Sequence, residues 1–102
     1  MDKVPKPYAE FTKKHGAVAD AYDALASACH EAGPLNDRER ALVKLALSVG
    51  ARMEGAVHAQ VRKGLATGLS PEEMHHVALL ATTTIGFPSM MAAMTWVDDL
   101  LD

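Results

Sequence analysis

The stretch "SVGARMEGAVHAQVRKG", residues 48–64, decides how the chain is read. Val57, Val61 and Leu65 recur every four residues, a spacing that puts side chains on one face of a helix. Arg52, Gln60, Arg62 and Lys63 fall off that face and suit solvent. Glu54 and His58 do not: one helical turn apart, they fall among the apolar residues or at their margin. Burying an ionised carboxylate without a partner is costly, so these two groups are expected to pair or to border a wet pocket.

Punctuation divides the rest of the chain into further helices. A first helix is expected from about Tyr8 to Glu31, with Phe11, Val18, Tyr22, Leu25 and Cys29 as its apolar stripe. It ends at "AGP", where Gly33 accepts a left-handed conformation and Pro34 blocks continuation. Asn36 or Asp37 caps a second helix that carries Leu42, Val43, Leu45, Ala46 and Val49, and Glu39 stands three residues beyond Asn36. The third helix runs from Met53 to Ala66 and closes at Gly68. The fourth opens at "SPEE", with Ser70 as N-cap, Pro71 in the first turn and Glu73 in the capping-box position. It is expected to continue through "MHHVALLATTTI" to the break at "GFP", and a last helix follows Pro88 to the end of the chain. No period-two alternation or hairpin signal interrupts this pattern. The fold class is all-α, a bundle of about five helices.

At 102 residues the chain is expected to form one domain with one core. Nearly half its residues are hydrophobic, which is generous for this size and points to self-association. Ten Lys and Arg against thirteen Asp and Glu give a formal charge of −3 without a basic run, so no nucleic-acid partner is expected. The segment "MDKVPKPYAEFTKKHG" lacks the apolar core of a secretory signal. No apolar run reaches membrane-spanning length. Cys29 is the only cysteine, which excludes an intrachain disulfide and fits a reducing compartment. The expected setting is cytoplasmic, with no membrane partner.

Glu39, Glu54 and His58 are the candidate catalytic residues. Glu39 has two readings that stay open at this stage: a capping-box side chain, or a carboxylate aimed with Leu42, Val43 and Ala46 at an enclosed site. Glu54 and His58 likewise form either a half-buried i,i+4 pair or part of a working cluster. A glutamate and a histidine at this spacing, with Glu39 as a third donor, could ligate a metal. The pattern is short and lacks the second histidine of a zincin helix, so no metal and no cofactor is expected. His75 and His76 point about 100° apart on their helix and are assigned to a solvated face. Met90, Met91, Met94 and Trp96 are assigned to packing.

The span "LNDRERALVKLALSVGARMEGAVHAQVRKGLATGLSPEEMHHVALLATTTIGFPSMMAA" resembles the carboxymuconolactone decarboxylase and AhpD-like family. The acidic helix start, the "ARMEGAVH" turn, the "GLSPEE" cap and the "GFP" break come in that family's order. The AhpD branch carries Cys-x-x-Cys-x-x-x-His with a glutamate upstream. Counted back from His58, its cysteine positions fall on Ala51 and Glu54, and its glutamate on Glu39. The resemblance therefore keeps the acid–base residues and loses both thiols, which disfavours alkyl hydroperoxidase or peroxiredoxin activity. Glu54 instead resembles the decarboxylase branch, whose members remove carbon dioxide from a carboxylated muconolactone in aromatic-compound breakdown. The resemblance implies a small-molecule substrate and a trimer or hexamer. Arg52 is the candidate to hold an anionic substrate and Phe87 to form part of its wall. A non-enzymatic, oligomeric ligand-binding protein on the same scaffold is the alternative.

Overall fold

In the computed structural model, which describes residues 4–101, six α-helices and one 3₁₀ turn follow one another, and no strand occurs among the described residues. The chain divides into two compact units, the first ending at Leu35 and the second beginning at Asn36.

The first unit holds α1 (Lys6–Lys14) and α2 (Gly16–Glu31) where a single helix from Tyr8 is expected. The break is at His15, whose backbone leaves the helical region at φ −123°, ψ 57°. Its N–H donates to the Phe11 carbonyl at 2.8 Å and closes α1; its carbonyl accepts from the Ala19 N–H at 3.0 Å and opens α2. Gly16, a weak helix former, follows directly, and Lys13 and Lys14 suit the negative end of the α1 dipole. The two helices contain no buried residue. The stripe Phe11, Val18, Tyr22, Leu25 and Cys29 is exposed throughout.

The second unit holds α3 (Asp37–Gly50), α4 (Glu54–Thr67), α5 (Pro71–Leu80), the 3₁₀ turn Ala81–Thr83, and α6 (Phe87–Asp98). Its core is one cluster that includes Leu45, Val49, Val57, Val61, Met74, Ala78, Met90, Ala93 and Val97. Both expected caps form: Asn36 and Ser70 each accept from the N–H three residues on, and Glu39 and Glu73 each return a bond to the cap N–H. Arg38 fastens the start of α3 to its neighbours. Its Nη1 donates to the Gly68 carbonyl at 3.2 Å, and its Nη2 pairs with the Glu73 carboxylate.

The α4 helix ends in a Schellman motif. Gly68 takes φ 97°, its N–H donates to Leu65, and the Leu69 N–H donates to Gly64 at 2.9 Å. The expected long fourth helix stops at Leu80 instead of running into "TTTI". Thr82 Oγ1 donates to Leu79, and the Ala81 carbonyl accepts from the N–H groups of Thr84, Ile85 and Gly86. Threonine hydroxyls competing for helix carbonyls, then Gly86 at φ 103°, turn the chain early. Met90 is buried and Met94 and Trp96 pack on the core, whereas Met91 is exposed. No helix among the described residues is long and apolar enough to cross a membrane.

Gly64 sits close against the core. A Cβ placed there would lie 3.0 Å from Leu69 Cδ1 and 3.3 Å from Met74 Sδ, both on buried side chains. Gly64→Val is expected to lower stability by about 1–3 kcal/mol through overpacking. Urea unfolding checks this, and an unchanged midpoint would contradict it.

Candidate functional site

The α4 helix places its polar pair through its apolar one. Val57 and Val61 are fully buried, so His58, the next residue and about 100° further round, comes to the margin of the core. Its side chain is 24% exposed, and that of Glu54, one turn earlier, is 59% exposed. Glu54 Oε2 lies 4.0 Å from His58 Nε2. The shorter contact comes from the end of α6: Asp99 Oδ2 lies 2.9 Å from the same nitrogen. An ionised carboxylate only accepts, so a neutral His58 donates from Nε2 and carries its lone pair on Nδ1.

Asp99 lies outside the residues that sequence reasoning selected. The signal available for it is electrostatic. Asp98 and Asp99 stand at a helix C-terminus, the end that disfavours anions, so each calls for a proton donor or a cation. The structure supplies one to each: Asp98 Oδ1 pairs with His75 Nε2 at 2.5 Å, and Asp99 pairs with His58. Neighbouring carboxylates thus tie α5 and α4 to the end of α6. Of the two histidines assigned to a solvated face, His75 takes up this pairing and His76 is exposed.

The other expected site residues stand elsewhere. Glu39 Oε1 accepts from the Asn36 N–H at 2.8 Å, which places its carboxylate in the capping box. Arg52 follows the C-cap of α3 at φ 57°, a conformation usually left to glycine. Its N–H donates to the Val49 carbonyl at 3.0 Å and the Met53 N–H to that of Ser48 at 3.4 Å, the bonding of a second Schellman turn. The Arg52 side chain reaches the start of α6, where Nε donates to Ser89 Oγ at 3.0 Å. Phe87, the first residue of α6, is 60% exposed. Ser89 and Asp99 are ten positions apart, roughly 15 Å along the helix. Glu54 and His58 are brought together with Asp99, while the Arg52 side chain is engaged by Ser89 and Phe87 opens α6.

A separate open groove of about 540 Å³ runs between α3 and α5. Leu42, Val43, Val49, Val77, Leu80 and Ile85 give it mostly aliphatic walls, with Glu73 and His76 as its ionisable members. Glu54, His58 and Asp99 do not line it.

Among models of known families, the one described as the carboxymuconolactone decarboxylase family matches residues 16–99. That span covers α2 to α6 and reaches Asp99. Comparison with curated proteins and with solved structures returned no match.

Glu73, at the groove and at the α5 cap, carries a pH dependence. The Ser70 N–H bonded to its carboxylate lowers its pKa below the ordinary value of 4.5, desolvation opposes this, and the Arg38 charge and hydrogen bond add to the lowering. A depressed carboxylate stabilises the fold fully above its unfolded value and loses that contribution as pH falls through the folded value. Denaturant titrations below pH 4.5 should therefore show a shallower loss of stability for Glu73→Gln than for the parent. Parallel curves would contradict this.

Proposed function

Because the chain belongs to the carboxymuconolactone decarboxylase family, we propose that it is a cytoplasmic small-molecule lyase working by acid–base chemistry at Glu54, His58 and Asp99. The observation that supports this reading is the 2.9 Å contact of Asp99 with His58 Nε2. A carboxylate that holds one ring nitrogen orients the imidazole and fixes its tautomer, which leaves Nδ1 for proton exchange. In a decarboxylation, the bond between the substrate's carbon skeleton and its carboxylate carbon breaks and carbon dioxide leaves. The electron pair passes into a conjugated carbonyl as a dienolate. His58, as the imidazolium, then gives its Nδ1 proton to carbon and regains one from solvent. Glu39 contributes by fixing the start of α3, and Arg52 and Phe87 lie outside the proton-transfer step.

Self-association as a trimer or hexamer belongs to the same proposal. It is supported by the exposed Leu47, Met53, Leu80 and Phe87, which a free subunit would leave in water.

The groove between α3 and α5 favours a second reading, a non-enzymatic ligand-binding protein. Its aliphatic walls suit an apolar small molecule, and the acid–base cluster is not among its lining residues. Thiol peroxidase activity has less support, since Cys29 is the lone cysteine.

Carboxymuconolactone offered to the purified protein should release carbon dioxide. His58→Ala should lower kcat by about 100-fold or more with the helical circular dichroism unchanged. Wild-type turnover in that variant would remove His58 from the mechanism. A parent protein without turnover, whose Leu42 and Val77 resonances shift with an apolar ligand, would favour the binding reading.

A further inference from the structure

We propose that Glu54, His58 and Asp99 bind one divalent cation of the zinc type, which takes the place of the proton between His58 and Asp99. One imidazole nitrogen and two carboxylate oxygens form a donor set suited to zinc and similar first-row ions. Their ligand atoms lie within 4.8 Å of one another, and both carboxylates face the same nitrogen, at 2.9 and 4.0 Å. Metal–ligand bonds of about 2.1 Å in tetrahedral array set donors roughly 3.4 Å apart. The two observed separations straddle that spacing, so small side-chain rotations bring all three onto one ion.

The scaffold allows those rotations in the right place. Buried Val57 and Val61 anchor the helix that carries His58, while Glu54 and Asp99 are exposed enough to adjust. Glu54 and His58 come from one turn of α4 and Asp99 from beyond α6, so the site requires the folded second unit. With a neutral imidazole the cluster carries two negative charges, which a dication balances. Three protein donors leave a fourth position for water or a ligand. The sequence offers Glu39 as the third donor beside Glu54 and His58, but its carboxylate serves the α3 cap. Asp99 supplies that donor from 41 positions beyond His58.

This inference stands whether or not His58 moves protons in a reaction. An ion on Nε2 shifts the ring proton to Nδ1, so the metal-bound and proton-bound states exclude each other at that atom.

The test titrates zinc chloride into untagged, chelator-stripped protein, followed by calorimetry and by nitrogen-15 NMR of the histidine rings. The expected result is one zinc per chain with micromolar affinity, and a change of His58 from the Nε2–H to the Nδ1–H tautomer. Glu54→Gln, at an exposed side chain where folding is not at stake, should weaken binding by about tenfold or more, and Asp99→Asn similarly. His75→Ala should leave it unchanged. Absence of saturable binding would overturn the site, as would full affinity in both carboxylate variants or a zinc-dependent shift confined to His75 or His76.

Discussion

Leu45 and Val49 on α3 share one buried cluster with Val57 and Val61 on α4, and this helix pair makes the most extensive packing in the chain. Burying a valine or leucine contributes about 1.5–3 kcal/mol, so the pair sets the rotation of α4 against any preference of its polar residues. Once Val57 and Val61 face inward, helical geometry leaves His58 at the core margin and Glu54 one turn before it. The position of the imidazole is a consequence of packing rather than of its own interactions. Asp99 then meets a ring that is already placed.

The turn between α3 and α4 accepts strain to make that pairing possible. A residue other than glycine in the left-handed region costs roughly 1–2 kcal/mol, and Arg52 occupies it at φ 57°. Two backbone bonds of the Schellman type offset part of this, and the Arg52 side chain adds a tie to Ser89 on α6. The other end of the unit is fastened by Arg38, which joins the α3 start to the α4 end and the α5 cap. These ties join both ends of the α3–α4 pair to α5 and α6.

Local chemistry was legible in the sequence wherever it acts over one turn. The caps at Asn36 and Ser70, the stop at Gly68 and the approach of Glu54 to His58 all depend on residues three or four apart. The break at His15 was not legible, because nothing in "KKHG" forbids helix on either side of it. The early end of α5 depends on hydroxyl groups competing for carbonyls, a balance that composition alone does not decide. Asp99 was hidden for a different reason: its partner is 41 positions away, and only the crossing of α4 and α6 joins them. Glu39 had two readings that the sequence left open. A capping position and a place on the inner helix face coincide in sequence, and the cap takes the carboxylate.

The family assignment and the cluster geometry meet at His58. The family match runs to the residue that holds its ring, and the ring is partly exposed to solvent. The most direct measurement of this arrangement is long-range nitrogen–proton NMR on the His58 ring of the metal-free protein, compared with Asp99→Asn. At a pH where the ring is neutral, the account predicts the Nε2–H tautomer in the parent and tautomer exchange in the variant. A ring that exchanges freely in the parent, indifferent to residue 99, would contradict it.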